Sequence, residues 1–187
     1  MHRILTIGHS NHTLERFLAL LRGAEVEMLI DVRSMPASRR LPHFNKAALA
    51  RALADAGIDY AWLGESLGGR PRGQRHVAID YDEIASRASF ARGLDEVLAI
   101  GAEKRSALMC AEREPLSCHR TVLVGRRLAE RGAELAHIHA DGHIEGHGAV
   151  EQRLLALHGA AEPDLLSSAD TRLAQAWSLQ GRKMTAT

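Results

Sequence analysis

The sequence predicts a single α/β domain with about five mainly parallel strands, helices on both faces and a C-terminal helical extension. Two observations lead to this fold class. Short apolar runs alternate with stretches whose apolar residues recur every three to four positions. The chain has 187 residues, of which 45% are hydrophobic, which is enough for one core and too little for two ordinary domains. We place the core domain at residues 1–145 and the extension, with a frayed tail, at residues 146–187.

The first predicted elements are a strand, a helix and a second strand. Residues 4–7 form a short apolar run, and Thr13 can cap a helix that ends near Gly23. Residues 28–32 are apolar except for Asp31, as expected of a strand that is buried on both faces. The chain therefore opens with the strand-helix-strand pattern of a parallel sheet.

A second helix, a third strand and a long loop follow. Asn45 can cap a helix that stops at Gly57, and residues 58–63 return as a strand. Residues 64–81 have the composition of a loop, with several glycines and arginines. A helical pattern then runs over residues 82–104.

The remaining elements complete the predicted sheet. Residues 107–109 form a short buried strand, residues 117–131 a helix, and residues 135–138 the fifth strand. Residues 146–187 are predicted to form one or two external helices, with a frayed polar end after Gly181.

Composition narrows the classes of function. Lysines and arginines number 24 against 23 acidic residues, a formal net charge of +1, so any binding of phosphate or nucleic acid must be local. No apolar stretch approaches the roughly 18 to 20 residues of a membrane span, and residues 1–7 do not resemble a signal peptide. We expect a cytoplasmic protein with no membrane partner, no cofactor, and two cysteines that are free thiols.

Unusual polar residues fall directly after the predicted strands. In open α/β sheets ligands bind at the carboxyl ends of the strands, where the connecting loops converge. The residues at those positions are His9 and Ser10, Asp31 and Arg33, residues 64–70, and residues 110–120. We therefore expect a ligand site on one rim of the sheet.

Residues 110–120 hold the densest group of reactive side chains. Cys118 lies near the first turn of a helix beside an arginine, where a thiolate is stabilised, so it is the preferred nucleophile and Cys110 the second choice. His119 can transfer a proton at neutral pH, and Arg113 and Arg120 can bind a phosphate, sulfate or carboxylate. The structural alternative is that the cysteines are small buried hydrophobes and the charged residues hold a loop in place.

Other residues of the rim extend this site. A buried Asp31 needs a partner, for which Arg33 and Arg39 are candidates, and it would then orient an anion-binding arginine. His9 and Ser10 either cap a helix or contact the ligand. Gly69 would allow a loop to approach a ligand closely, with Arg70 beside it. Glu112 is predicted to support the site without binding the ligand.

The chain resembles the domain-of-unknown-function family 488. The resemblance rests on four blocks in order: Thr6-Ile7-Gly8-His9-Ser10; Ile30-Asp31-Val32-Arg33 with Pro36, Ser38 and Arg39; Tyr60 with Leu63-Gly64 and Leu67-Gly68-Gly69-Arg70; and Cys110-Ala111-Glu112-Arg113 with Pro115 and Cys118-His119-Arg120. It covers about residues 4–139. It implies a fold and the position of a site, and it implies no particular activity.

A second similarity is to the layout of rhodanese-like and cysteine-phosphatase domains, in which backbone amides and an arginine hold an anion. Their Cys-x5-Arg loop is missing, because six residues after Cys110 stands Leu116 and six after Cys118 stands Val124. This similarity implies a related anion site at the level of the fold.

We expect from these observations an enzyme or binding protein for a small anionic or nucleotide-like ligand. If it is an enzyme, we expect a cysteine-dependent transferase or hydrolase. One alternative is a nucleic-acid-binding module that grips phosphates with Arg39, Arg40, Arg70, Arg72 and Arg75. The other is a metal-dependent hydrolase that binds Zn²⁺ through His137, His139, Asp141, His143 and His147. Those histidines would otherwise form a surface turn.

Overall fold

The computed structural model describes residues 3–70, 79–162 and 167–186. Within them the chain forms one sheet of six strands. The strands are β1 (Ile4–Gly8), β2 (Met28–Asp31), β3 (Asp59–Trp62), β4 (Ser106–Cys110), β5 (Leu135–Ile138) and β6 (Ile144–Gly146). Their order across the sheet is β3-β2-β4-β1-β5-β6, with every pair parallel except β5 and β6. The predicted α/β class is confirmed, and β6 is a short addition that the sequence did not indicate.

Helices occupy both faces of this sheet. They are α1 (Leu14–Gly23), α2 (Lys46–Asp55), α3 (Gly64–Leu67), α4 (Tyr81–Ser86), α5 (Ala88–Glu103), α6 (Arg126–Glu130), α7 (His147–Leu157) and α8 (Ala169–Thr185). Two 3-10 turns, Pro42–Phe44 and Pro115–Ser117, and a π-helix, Arg120–Gly125, complete the regular structure of the described segments. None of the helices seen there combines the length and apolar composition that crossing a membrane requires.

Alternation along the strands divides the core into two layers. Leu5 and Ile7 of β1 pack with α1 and α2 on one face of the sheet. Ile4 of β1 and Leu108 of β4 point to the other face, where α3, α5 and α6 cover them. Cys110 shares the second face with Leu108, since alternate residues of a strand point the same way. The carboxyl end of β4 therefore delivers its thiol to the α5 and α6 side.

The C-terminal helices form a third apolar cluster on the outside of the domain. Val150 and Leu154 of α7 pack with Trp177 of α8 against the segment that follows β4. Gln180 also donates a hydrogen bond to the carbonyl of Leu116. The predicted fraying after Gly181 is wrong, because α8 is anchored by these contacts and continues to Thr185.

Two predicted helices are broken in the structure. The helical pattern at residues 82–104 is split into α4 and α5 by Arg87, whose backbone is extended. The helix expected at residues 117–131 begins as a 3-10 turn, is interrupted by the extended Cys118 and resumes as the π-helix and α6. The loop predicted at residues 64–81 starts with α3, and its residues 71–78 lie outside the described part of the chain.

Candidate functional site

Two cysteines, a glutamate and a histidine meet at the carboxyl end of β4. Both thiols are free and buried. Glu112 Oε2 lies 2.9 Å from Cys110 Sγ and 3.0 Å from Cys118 Sγ. His119 Nδ1 lies 3.4 Å from Cys110 Sγ. We call these four residues, Cys110, Glu112, Cys118 and His119, the thiol cluster.

Backbone contacts fix the loop that carries the thiol cluster. The Nε2 atom of His119 lies 3.0 Å from the carbonyl of Val32, which can only accept, so Nε2 carries the proton and the neutral ring presents a lone pair at Nδ1. The Cβ of any residue replacing Gly8 would lie 1.9 Å from the carbonyl oxygen of Glu112. Glycine at the end of β1 therefore allows the Glu112 peptide to approach the sheet.

Arg120 is completely buried and braces the same loop. Its guanidinium donates Nη1 to the carbonyl of Glu112 and Nη2 to that of Arg113, and its Nε donates to Thr6 Oγ1. Its backbone N–H points to Cys118 Sγ at 3.4 Å. Arg120 therefore holds the loop of the thiol cluster from its buried side.

The cluster distributes charge unequally between its thiols. Burial alone raises the pKa of Cys118, but the hydrogen bond from Cys110 and the positive charges of Arg120 and His119 lower that pKa well below its usual value. Burial, the contact with Cys118 and the negative charges beside it raise the pKa of Cys110 well above normal. A negative charge on this pair is therefore favoured on Cys118 over Cys110.

The other two members of the cluster also have shifted pKa values. Burial opposes ionisation of Glu112, and with the charge of Cys118 it raises the pKa of that carboxyl. Burial lowers the pKa of His119, but the hydrogen bond and charge of Cys118 outweigh it and raise the pKa above its usual value. His119 is therefore a better proton acceptor than a free imidazole.

A pocket of about 460 Å³ opens beside the cluster, and we call it the site pocket. Cys110, Glu112 and His119 line it, whereas Cys118 lies behind them with no exposed surface. Ala111 and Ser117 of the same loop also line the site pocket. The other walls come from segments distant in the chain: Arg33, Ser34, Met35, Gly69, Arg70, Ile79, Tyr81 and Met184. The thiol that carries the charge is thus Cys118, and the thiol that meets a ligand is Cys110.

Arg33 lies at the centre of a second polar group, which we call the Arg33 hub: His9, Asp31, Arg33 and Tyr60. Arg33 donates Nη2 to Asp31 Oδ2 at 2.7 Å and Nε to Oδ1 at 2.9 Å, so the partner expected for Asp31 is Arg33. Tyr60 donates to Asp31 Oδ2, and Arg33 Nη1 donates to His9 Nε2. The hub forms one wall of the site pocket through Arg33.

The predicted anion-binding residues separate into several places. Gly69 and Arg70 line the site pocket, and a Cβ on Gly69 would lie 2.5 Å from His119 Cγ, so glycine allows this close approach. Arg39 is exposed on the loop after β2. Ser10 turns its hydroxyl to Asn11, with a positive φ of 46°. Neither Arg39 nor Ser10 lines the site pocket.

Arg113 and Arg120 do not form the common clamp that the sequence predicts. Arg113 is exposed in a separate hollow of about 340 Å³ together with His139 and Arg153. Arg120 points inward and binds the loop carbonyls. The extended Cys118 and the π-helix after it direct Arg120 inward, whereas Arg113 precedes both, on the exposed bend that follows β4.

The histidines of residues 137–147 also separate. His137 lies inside the core, with Nδ1 at 2.8 Å from Thr6 Oγ1 and Nε2 at 3.0 Å from His147 Nδ1. His139 follows the end of β5 and pairs with Glu145, and its ring stacks on His143. Within the described segments, only the thiol cluster brings three or more metal-ligating side chains together. The predicted alternative of one zinc site from these histidines and Asp141 is therefore not supported.

The arginines proposed for nucleic-acid binding are only partly described. Arg39, Arg40 and Arg70 are exposed, while Arg72 and Arg75 lie outside the described residues. Tyr81 and Met184 were missed by the sequence analysis because each reaches the site pocket from a helix far along the chain. Glu112 was expected only to support the site, although its position between two cysteines was the signal for direct contact with both.

Comparison with known proteins gives one match. The family model described as "Domain of unknown function DUF488" matches residues 13–126. Searches of curated proteins and of solved structures gave no match. The matched region contains β2 to β4, the Arg33 hub except His9, and the whole thiol cluster. The chain belongs to the DUF488 family.

Proposed function

We propose that this chain is a cysteine-dependent enzyme, a transferase or hydrolase, that acts on a small anionic substrate bound in the site pocket. The observation that carries the proposal is the thiol of Cys110 on the pocket wall, with His119 Nδ1 3.4 Å from its sulfur. A thiol and an imidazole in contact are the pair that covalent catalysis by cysteine requires. Arg70 brings positive charge to the same pocket, which Arg33 also lines while it is paired with Asp31.

The arrangement supports a definite sequence of proton transfers. The Cys110 proton passes to His119 Nδ1, and the Cys110 thiolate attacks the electrophilic atom of the substrate. The bond to the leaving group breaks, and the leaving group takes the proton from His119. Cys118 supports this step, because its negative charge stabilises the protonated imidazole of the buried His119.

Alkylation of the metal-free chain by iodoacetamide tests the proposal. We expect one equivalent to react at Cys110, the thiol on the pocket wall, as peptide mapping would show. His119→Gln should slow the reaction, because the imidazole that accepts the Cys110 proton is then missing. Cys118→Ser should move the reaction to lower pH, because it removes a neighbouring negative charge that raises the pKa of Cys110. A wild-type chain in which Cys110 does not react, or reacts as fast in His119→Gln, would overturn the proposal.

Inorganic phosphate tests the anionic substrate class in the same assay. We expect phosphate to slow alkylation of Cys110 and Arg70→Gln to weaken that protection several-fold. The matched control is Arg92→Gln, which removes an exposed arginine of α5 that does not line the site pocket. Equal protection in both variants, or none in the wild type, would count against an anion in this pocket.

A further inference from the structure

The thiol cluster contains the donor atoms of a metal site. The ligand atoms of Cys110, Glu112, Cys118 and His119 all lie within 4.8 Å of one another. Two sulfurs, one imidazole nitrogen and one carboxylate oxygen are all common ligands of Zn²⁺, and two thiolates favour soft or borderline ions over Mg²⁺ or Ca²⁺. The residues therefore match zinc in the kind and the number of their donors.

Three distances inside the cluster are close to those around a tetrahedral ion. Bonds of about 2.0 to 2.3 Å in tetrahedral geometry place neighbouring ligand atoms roughly 3.3 to 3.8 Å apart. The Cys110 Sγ to His119 Nδ1 distance is 3.4 Å, and the two sulfurs lie 2.9 and 3.0 Å from Glu112 Oε2. A movement of the Glu112 carboxylate by a few tenths of an ångström brings it to ligand distance.

Surrounding hydrogen bonds already orient the ligands. His119 uses Nε2 on the carbonyl of Val32, which leaves the lone pair of Nδ1 directed into the cluster. The backbone N–H of Arg120 points to Cys118 Sγ, as amides commonly do toward metal-bound thiolates. The buried Arg120 guanidinium also offsets part of the negative charge that two thiolates and a carboxylate bring to an ion. These contacts are independent of the ligand distances and lead to the same conclusion.

We infer that the thiol cluster binds one divalent transition-metal ion, with Zn²⁺ as its natural occupant. Cys110, Cys118 and His119 are its fixed ligands. Glu112 is the exposed ligand, and it lies on the side of the site pocket, so an incoming substrate or water can replace it. Three fixed protein ligands and one exchangeable position are the arrangement of catalytic zinc.

The metal deepens the proposed function and rests on it for its purpose; in the metal-bound chain the ion takes over the activation of Cys110 from His119, because Nδ1 is then a ligand and cannot accept a proton. On binding, the remaining thiol protons are released to solvent and both sulfurs become thiolates. Metal coordination is one of the ways in which proteins activate a nucleophile, so a metal-bound Cys110 thiolate remains compatible with attack on a substrate. The ion would also attract the anion that Arg33 and Arg70 face.

The test is metal titration of the full-length chain after chelation and reduction. We expect one Zn²⁺ per chain, and a Co²⁺ form with sulfur-to-cobalt charge-transfer bands and the strong visible bands of tetrahedral cobalt. Cys118→Ser and His119→Gln should each weaken binding by at least about 100-fold, more than the effect typical of residues that only orient a ligand. His139→Gln is the matched control, because it changes a half-buried histidine outside the cluster. Zinc binding by this variant should be unchanged.

The outcomes separate this inference from the proposed function. No Zn²⁺ bound by the reduced wild-type chain, or equal binding by the wild type and both cluster variants, would overturn the metal site. Circular dichroism shows whether each variant is folded. If a variant is not folded, the thiols of the wild-type chain are alkylated instead, which should likewise prevent zinc binding. One Zn²⁺ per chain without any phosphate effect on Cys110 keeps the metal site and removes the anionic substrate. Phosphate protection of Cys110 without metal binding keeps the anionic substrate and removes the metal site.

Discussion

The Arg33 hub and the thiol cluster are both buried polar groups on the same rim of the sheet, yet they are built differently. In the hub, each donor meets an acceptor: Arg33 faces two carboxylate oxygens of Asp31, the Nε2 atom of His9 and a backbone carbonyl. In the cluster, three groups that can each lose a proton crowd around one another. Hydrogen bonds between paired donors and acceptors stabilise a fold, whereas closely spaced acidic groups are typical of catalytic or cation-binding sites.

Asp31→Asn is the strongest test of the first half of this comparison. The substitution leaves the buried guanidinium of Arg33 without a countercharge, and breaking a buried pair costs about 3 to 5 kcal/mol. We expect the free energy of unfolding in urea to fall by that amount at neutral pH. Asp59→Asn is the control, since its pair with Lys104 is exposed and its loss should change little. Similar losses in both variants would mean that the hub is not a stabilising unit.

Acid should weaken the hub through His9. Burial, followed by the charge of Arg33, lowers the pKa of His9 to about 4. The unfolded chain therefore binds more protons than the folded chain between pH 6.5 and about 4, and stability is lost as the pH falls through that window. We expect His9 to account for on the order of 2 to 3 kcal/mol of this loss, from about 1.4 kcal/mol for each unit of pKa.

The measurement is the free energy of unfolding in urea against pH for the wild type and His9→Gln. The variant should be less stable at neutral pH and flatter over the acid range. Other buried histidines, His137 and His147, also have lowered pKa values and will leave a residual slope in both proteins. Parallel curves for the two proteins would show that His9 is not the acid-sensitive group.

Cys118→Ala tests the second half of the comparison and should have the smallest effect on stability. Removing one buried sulfur from the metal-free chain should cost only about 1 kcal/mol. In the same variant, alkylation of Cys110 should extend to lower pH, because a negative charge that raises the pKa of Cys110 is gone. Val124→Ala, which removes apolar atoms from the same core, is the control and should destabilise more. A loss as large as that of Asp31→Asn would show that the cluster is structural.

Local patterns in the sequence predicted the strands and the contacts between residues that are close together in the chain. Asp31 and Arg33 stand two residues apart at a strand end, so their pairing could be anticipated, as could the proximity of Cys110 to the Cys118-His119 pair. The direction of Arg120 could not, because it depends on an extended residue and a π-helix that have no clear sequence signal, and neither could that of Arg113, which lies on an irregular bend. The insertion of β4 between β1 and β2 is also a tertiary property, and it is what brings Arg33 to the thiols.

Gly8, the last residue of β1, affects the position of Glu112, which lies far later in the chain. The Glu112 carbonyl occupies the space that a methyl group would need, and Arg120 clamps that carbonyl from the other side. The Glu112 peptide is therefore held between a strand and a guanidinium, and only the side chain of Glu112 is left to change its conformation. The Glu112 carboxylate could then approach or leave the proposed metal ion without any change in the fold of the domain.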